Sequence, residues 1–440
     1  MVSNPLISDA VKTSDLFYRA HICGIGGIGT SGVALLLSDL GFHPTGSDLR
    51  QSEITQLLQQ RHIEIRFDQD TSILHDASCV IRPAVFPASH PALLYAKQHD
   101  IPILDRTHAL ALICRHFAQH TTICFGTLTR AAGARMIAQA IPQSGWCTGA
   151  ALRDGSAHAK FGNHLVIDLD ERDFMADPSL YDDFANADAV ITDWQHPDFG
   201  YYPENYDAEL FASKLCSRQM PRIVYPFSVD CNICMPRTIQ HVDTANGFER
   251  HIQLHSFERT ADNRIIAPKG WQFPDIRISD APGMLSMQCT VYAYLHLLRC
   301  CDIPRPQSCI GWFENIDNSG LRVHDIRMHP VNIAAALQAL KHRAPNHRIV
   351  LVIKPFVSTL KTYDIAIWRE ALADADAIYV ITPPYPGAND TDCMQFAESL
   401  TASGKSAHCM PIQSVAYALD PQDAVLYSGA PDIVALHRDA

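Results

Sequence analysis

Between residues 16 and 115, short β-rich apolar runs alternate with stretches whose apolar positions recur at helical spacing. FYRAHICGIG reads as a strand, and SGVALLLSDLG as a helix stopped by Gly41. SEITQLLQQR reads as a second helix, opened by a Ser52 cap with Thr55 inside the first turn. IEIRF, CVIRPAV and IPILD are short β-type runs, and PALLYAKQHD and THALALICRH are helices between and after them. Such alternation predicts a parallel, doubly wound sheet.

A second unit begins near Gln119. TTICF, HLVIDLD, ADAVITDW and PRIVYPF read as strands with helices between them. HIQLHSFERTADNRIIAPKGWQFPDIRIS differs: its short polar–apolar alternations with turn residues predict antiparallel hairpins. MLSMQCTVYAYLHLLRCC closes the unit as a long, buried helix, and the proline-marked DIPRPQS (302–308) is a linker. From Cys309 onward, RIVLVIKPF, DAIYVITPP and DAVLYSGA are near-continuous apolar strands, as a parallel sheet covered on both faces requires. IAIWREALADA and MQFAESLTASG are the helices of this third unit. The expected organisation is therefore three α/β units, at 1–115, 116–302 and 309–440, with no internal repeat.

A chain of 440 residues is too long for one ordinary core, which agrees with several units. The formal net charge of −12 disfavours non-specific nucleic-acid binding. No run approaches the roughly 20 apolar residues of a membrane span. The opening stretch MVSNPLISDAVKTSD lacks the basic and apolar regions of a secretory leader, so a cytoplasmic protein without membrane or nucleic-acid partners is expected. The 14 scattered cysteines then read as reduced thiols. CNIC (Cys231, Cys234) is the only CxxC, and no second pair follows at a spacing that would complete a zinc site. Small buried apolar side chains are the expected role there and at Cys300-Cys301.

Chemistry enters with CGIGGIGTSG, which places Gly24-x-Gly26-x-x-Gly29 after a strand and before a helix. Gly26 would let a phosphate approach the backbone, and the helix N-terminus supplies N–H donors and partial positive charge. Asp48 stands where an acidic ribose partner sits, at the end of the next strand. Alone, the motif indicates a nucleotide or dinucleotide site, or a tight glycine turn with no ligand. A nicotinamide-dependent oxidoreductase could rest on Gly24, Gly26, Gly29 and Asp48, but nothing singles out a hydride-transfer acid or base among 22 histidines.

The wider string HICGIGGIGTSGVALLLSDLGFHPTGSDLRQS resembles the opening of the Mur ligase family, most closely its L-alanine-adding ligases, which carry HxxGIGGxGMSGxA…LLxxxGxxVxGSDxxxS. HPALLYAKQHDIPILDRTHALALI is similar to the family's NPExxxAxxxgIPVxxRaexLaxLM, and VLYSGAPDI to a closing GAGDI motif. The resemblance is specific over the first 115 residues and looser beyond. It implies a UDP-sugar-binding Rossmann-like domain, a central P-loop-like ATP domain and a Rossmann-like C-terminal domain for the amino acid. Family chemistry activates the muramoyl carboxylate of UDP-N-acetylmuramate as an acyl phosphate, which an amine attacks. Gly24, Gly26, Gly27, Gly29, Ser47, Asp48 and Arg106 would hold the UDP-sugar, and enzymes of cell-wall synthesis are the implied partners.

The family's ATP loop reads GTxGKTT, where this chain has Gly126, Thr127, Leu128, Thr129, Arg130, Ala131 and Ala132. Thr129 replaces the glycine that lets phosphate come close, Arg130 replaces the compact lysine, and the alanines offer Mg²⁺ no hydroxyl. VIDLDERDF resembles VAEADESDxSF, which implies Asp168 and Glu171 as metal ligands, Asp170 and Glu171 in catalysis, and Asp173 as a structural carboxylate. Strand alternation puts Asp168 and Asp170 on one face of a strand end, a hard-cation site or a solvated acidic loop. Elsewhere TNxxxDH becomes TDWQHPDF, with His196 and Asp198 displaced, and Leu285, Ser286 and Cys289 replace the HNxxN motif. DDYxHHPTE becomes HDIRMHPVN, keeping Asp325, His329 and Pro330, with Asn332 for Glu. FQPHRYTRT becomes IKPFVSTLK, leaving Lys354 and Lys361 but neither arginine. In the first unit, Thr30 replaces a methionine, Arg82-Pro83 a Ser-Ser pair and His90 an asparagine.

Losing one transition-state contact costs on the order of 10²–10³ in rate. Here several are replaced together, in a reaction that depends on positioning and electrostatics. The expected function is a Mur-ligase-like protein of peptidoglycan precursor metabolism that keeps UDP-sugar binding and has lost or much reduced ATP-dependent ligation. The alternative is an active, divergent ligase using ATP and Mg²⁺, which would join L-alanine to UDP-N-acetylmuramate.

Overall fold

The structure is a computed structural model that describes residues 13–68, 70–83, 86–125, 130–150, 157–170, 173–174, 177–192, 222–229, 233–244, 247–254, 257–259, 264–266, 269, 276–277, 285–300, 313–325, 330–355, 360, 364–382 and 389–429. In chain order the first elements are α1 (Thr13–Phe17), β1 (Ala20–Cys23), α2 (Ile28–Asp39), β2 (Thr45–Ser47), α3 (Glu53–Gln60), β3 (Glu64–Arg66), β4 (Cys79–Arg82), α4 (Pro91–Gln98), β5 (Ile103–Asp105) and α5 (Arg106–Phe117). The strands lie in the order β3-β2-β1-β4-β5, all parallel. The order reverses between β1 and β4, and in such sheets a crevice opens there at the strand ends. FYRAHICGIG is thus not one strand: α1 ends within it, β1 takes only four residues, and the glycines turn the chain into α2. Gly41 does close α2, at φ +84°. Ser52 and Thr55 form a reciprocal capping box at α3, with Ser52 N–H donating to Thr55 Oγ1 at 2.8 Å.

The next elements are β6 (His120–Phe125), α6 (Arg130–Ala140), β7 (Ser144–Cys147), β8 (Ala159–Lys160), β9 (His164–Asp168), α7 (Leu180–Asp183), β10 (Ala189–Thr192) and β11 (Arg222–Val229). Five further strands follow, β12 (Ile233–Thr244), β13 (Gly247–Leu254), β14 (Phe257–Arg259), β15 (Arg264–Ile266) and β16 (Ile276–Arg277), and then α8 (Leu285–Leu297). A parallel core β7-β9-β6-β10-β11 is extended by the antiparallel strands β12 to β16 on one side and by β8 on the other. The hairpin expectation for 251–279 holds for the described strands.

The last sheet contains β17 (Glu314–Asn315), β18 (Arg322–Asp325), β19 (Ile349–Lys354), β20 (Ala377–Ile381), β21 (Ala407–Met410) and β22 (Ala424–Gly429), in the order β17-β18-β22-β19-β20-β21. Its helices are α9 (Pro330–Arg343), α10 (Ile365–Ala371), α11 (Asn389–Ala402) and α12 (Ile412–Ala418). β20 and β22 are buried along their whole length, as their continuous apolar sequences require.

One apolar cluster runs from the first sheet into the central one: Ile22, Leu36 and Leu110 share it with Ile123, Leu165 and Phe174. The last sheet packs its own clusters, with Trp368 and Leu351 in one and Val352 and Tyr427 in another. Six of the described free cysteines, including Cys23, Cys114 and Cys147, are buried. Burial pushes those three thiols up to about 12, so they behave as apolar side chains.

Candidate functional site

The glycine loop leaves β1 through Gly24 at φ +61°, a conformation natural to glycine. Gly27 N–H returns to Gly24 O at 3.0 Å, and Ser31 Oγ donates to Gly27 O at 2.7 Å. Gly26 N–H donates to Asp48 Oδ2 at 2.8 Å, while Leu49 N–H donates to Asp48 Oδ1 at 2.7 Å. The acidic residue therefore braces the loop. A side chain at Gly26 would place Cβ 2.8 Å from that same carboxylate oxygen, so this position needs glycine for close approach. The first-turn N–H groups of α2 have no carbonyl ahead of them in the helix and form the anion-facing end of the loop. Arg106 lies beside them, its Nη1 3.2 Å from where a Cβ on Gly29 would stand.

Above the loop a cleft of about 410 Å³ opens at the point where the strand order reverses. Gly24, Gly27, Gly29, Ser47, Asp48 and Arg106, all implied by the resemblance, line it, while Gly26 sits behind Asp48. His21, which opens the HxxGIGG pattern, and His90 also line it, together with Asp68, Asp70 and Phe86, which had no signal in the sequence. His21 is buried, with Nδ1 3.0 Å from Thr45 Oγ1 and Nε2 3.0 Å from Ser47 Oγ. Burial, assisted by nearby His90, lowers its pKa to about 4, so it is neutral at pH 7 and fixes the Ser47 hydroxyl at the cleft.

Arg106 ties this cleft to the central sheet. Its Nη2 pairs with Asp173 Oδ2 at 3.3 Å, and Thr107 Oγ1 donates to the same oxygen at 2.8 Å. On the other side of the loop, Ser31 Oγ lies 2.8 Å from Nε2 of buried His158, next to β8. Gly32 faces β7 so closely that a Cβ would stand 2.7 Å from Cys147 Sγ.

At the end of β9 the placement departs from the expected alternation. The strand stops at Asp168, so Asp170 lies beyond it, although both carboxylates are buried. Asp168 Oδ2 accepts Gly149 N–H at 2.8 Å. Burial raises the Asp168 pKa against the lowering influence of Arg130, the Gly149 N–H and Arg106. Arg130 opens α6 and pairs with Asp170, Nη2 to Oδ2 3.6 Å, with side chains 22% and 11% exposed. Ala131 and Ala132 behind it are buried. Gly126, Thr127, Thr129, Glu171 and His329, together with His196, Asp198 and Lys361, lie outside the described residues. Asp325 is buried at the end of β18, beside His324, whose Nε2 lies 2.9 Å from Gly429 O. Among the described residues no group of three or more His, Cys, Asp or Glu is arranged to hold a metal ion, and no helix is long and apolar enough to cross a membrane.

Residues 19–118 match the model of a family described as "Mur ligase family, catalytic domain". Among solved structures, a UDP-N-acetylmuramate–alanine ligase from Thermotoga maritima is similar over 96% of this chain and 97% of that one, at 17% identity and a TM-score of 0.67. A murein peptide ligase from Psychrobacter arcticus matches at 12% identity and TM-score 0.55, over 96% of this chain and 98% of that one. A pseudomurein peptide ligase type C from Methanothermus fervidus matches at 12% identity and TM-score 0.54, covering 96% and 99%. At these identities the likeness is one of fold: the chain has the multidomain α/β architecture of the Mur ligases.

Proposed function

We propose that this chain is a Mur-ligase-like protein of peptidoglycan precursor metabolism. It binds a UDP-sugar, UDP-N-acetylmuramate or a relative, in the first cleft and does not carry out productive ATP-dependent ligation. In this reading residues 1–115 hold the sugar nucleotide, 116–302 keep the frame of an ATP domain, and 309–440 keep that of an amino-acid domain. It acts in the cytoplasm beside the enzymes of cell-wall synthesis.

One contrast carries the reading. The glycine loop presents a helix N-terminus, a pinned hydroxyl and Arg106 to a cleft large enough for a nucleotide. At α6, the cation standing in the place of the phosphate lysine is paired with Asp170, as Arg106 is with Asp173, but the residues that follow it are buried alanines. Among the described residues the donor set does not fit Mg²⁺-ATP. Ala131 and Ala132 bring no hydroxyl, and Asp168 is buried on a backbone N–H with its ionised form disfavoured.

An active ligase is favoured by one observation, the convergence of Asp168, Asp170 and Arg130 at the end of β9. Calorimetric titration separates the two. Saturable binding of UDP-N-acetylmuramate without binding of ATP-Mg²⁺ supports the first reading. Tight ATP-Mg²⁺ binding, or ADP release that requires both a UDP-sugar and an amino acid, overturns it.

A further inference from the structure

Arg106 opens α5 and reaches across to the glycine loop, where its Cδ and Nη1 stand 3.1 and 3.2 Å from the place a Cβ on Gly29 would take. The two ends of its fork face different surroundings. Nη2 pairs with Asp173 Oδ2 at 3.3 Å. Nη1 has no hydrogen-bond partner among the described residues and is not buried, on a side chain that is 21% exposed and lines the cleft. A guanidinium carries its five N–H donors in one plane, so fixing one end of the fork aims the other.

The carboxylate that fixes Nη2 belongs to the central unit, 67 residues further along the chain. The same oxygen accepts the Thr107 hydroxyl at 2.8 Å, so Oδ2 alone holds the first two side chains of α5. Asp173 is itself held in place. Its N–H donates to Asp170 O at 3.0 Å, and its carbonyl accepts Asp177 N–H at 2.9 Å. The next side chain, Phe174, is buried, with the Phe125 and Tyr181 ring centroids each 5.2 Å from its own.

We propose that Asp173 is a positioning residue for ligand binding in the first cleft: it holds Arg106 so that Nη1 donates to a phosphate oxygen seated at the N-terminus of α2. The inference rests on the sugar-nucleotide reading and deepens it, because the grip on the diphosphate is then completed across the seam by a residue of the central unit. Charge alone argues the opposite sign. A carboxylate paired with the arginine offsets the attraction the arginine offers an anion, so removing it would tighten phosphate binding. Against that, an unheld arginine has to be ordered by the ligand, and immobilising one rotamer-rich side chain lowers affinity by about two- to tenfold. Losing the aim of Nη1 adds to that loss. The two accounts therefore predict opposite changes in affinity for the same substitution.

The test is calorimetric titration of the full chain with UDP-N-acetylmuramate and with UDP, for wild type, Asp173→Ala, Asp173→Asn and Thr107→Val, with a thermal melt of each. Asp173→Ala should bind about tenfold more weakly. Asp173→Asn should restore most of that loss, because one amide oxygen can take both donors that Oδ2 takes and brings no charge. With Arg106→Ala added, the Ala and Asn variants should no longer differ in affinity, since Asp173 acts only through the guanidinium. A difference that survives loss of Arg106 overturns the inference. So does an Asp173→Ala variant that binds as tightly as wild type or more tightly, and the sugar-nucleotide reading then stands. Wild type binding neither ligand overturns both. Should the Ala variant fail to fold, Thr107→Val decides, because it takes one donor from the same oxygen: a fall in affinity of about threefold supports the inference, and unchanged affinity overturns it.

Discussion

Replacing Arg130 by alanine separates a structural cation from a phosphate ligand. The Arg130 and Asp170 charges are 3.6 Å apart with side chains 22% and 11% exposed. At an effective dielectric of about 20 their attraction is about 5 kcal/mol. Desolvation of both groups opposes it, and the 3.6 Å separation is long for a charge-assisted hydrogen bond. Truncation leaves Asp170 buried with less compensation, and the net loss is expected at about 2–3 kcal/mol. The first and central sheets share one core, so they should unfold as a large unit, for which each kcal/mol moves Tm by about 2–4 °C. Arg130→Ala should therefore melt about 5–10 °C below wild type. Arg130→Ala with Asp170→Asn should recover to within about 1 kcal/mol, because the stranded charge is gone. Arg130→Lys should fall between, since the ammonium keeps the charge and loses the fork. Thermal melts followed by circular dichroism, with ATP-Mg²⁺ titration of each variant, read the outcome. An alanine variant as stable as wild type that abolishes a measurable ATP affinity refutes the reasoning, because the guanidinium would then serve a ligand and not the fold.

Acid should destabilise the protein through its buried histidines. His21 and His158 are held at about 4 by burial, against about 6.5 unfolded, so the unfolded chain binds the extra protons. Stability should be unaffected above pH 6.5, fall by about 2 kcal/mol per histidine at pH 5, and stop falling from this cause below pH 4; a denaturation midpoint flat from pH 7 to 5 contradicts this. Gly32→Val should cost about 2–3 kcal/mol, because a Cβ there already meets Cys147 Sγ at 2.7 Å. A change under 0.5 kcal/mol in chemical denaturation would show that the seam can open at no cost. Asp168→Asn should raise Tm at pH 7, since it removes a buried charge and keeps an acceptor for Gly149 N–H. The gain should shrink toward acid pH as the wild-type carboxyl protonates, and a lower Tm at pH 7 is the contrary result.

The glycine loop was legible because its signal is local: strand, three glycines and helix occupy one short stretch, and Asp48 follows at the next strand end. The β7–β8 hairpin was not. SGWC has no β-branched residue and β8 only two residues, so neither has a period to read. What makes them strands is tertiary: Gly145 and Gly162 let two backbones meet so closely that a Cβ on Gly145 would run into Gly162 N. β18 and β21 escaped for the same reason, since RVHD and AHCM carry few strand formers and are fixed by their neighbours β22 and β20. Asp170 was assigned to a strand face by alternation, yet β9 ends two residues earlier. The ring of His21 and the Ser31–His158 contact join residues 24 to 127 positions apart, a distance at which no sequence pattern operates.

On the proposed reading, these long-range contacts are the reason for a central sheet to persist without nucleotide chemistry. Arg106 owes its place beside Gly29 to Asp173, which also takes the Thr107 hydroxyl. Ser31, one turn into the loop's own helix, is fixed to His158, and Gly32 is pressed onto Cys147. Ile22 and Leu36, from the strand and helix that carry the loop, share a core with Ile123, Leu165 and Phe174. The elements that carry the first cleft are therefore packed against the central sheet. Selection for sugar-nucleotide binding alone would keep the carboxylates that brace Arg106 and Arg130 and the small residues at the seam, while leaving hydroxyls and glycines of the ATP loop free to drift. On the proposed reading that asymmetry matches the chain: VIDLDERDF has carboxylates at Asp168, Asp170 and Asp173, and GTLTRAA has Arg130, Ala131 and Ala132 where the resembling pattern has a lysine and two threonines.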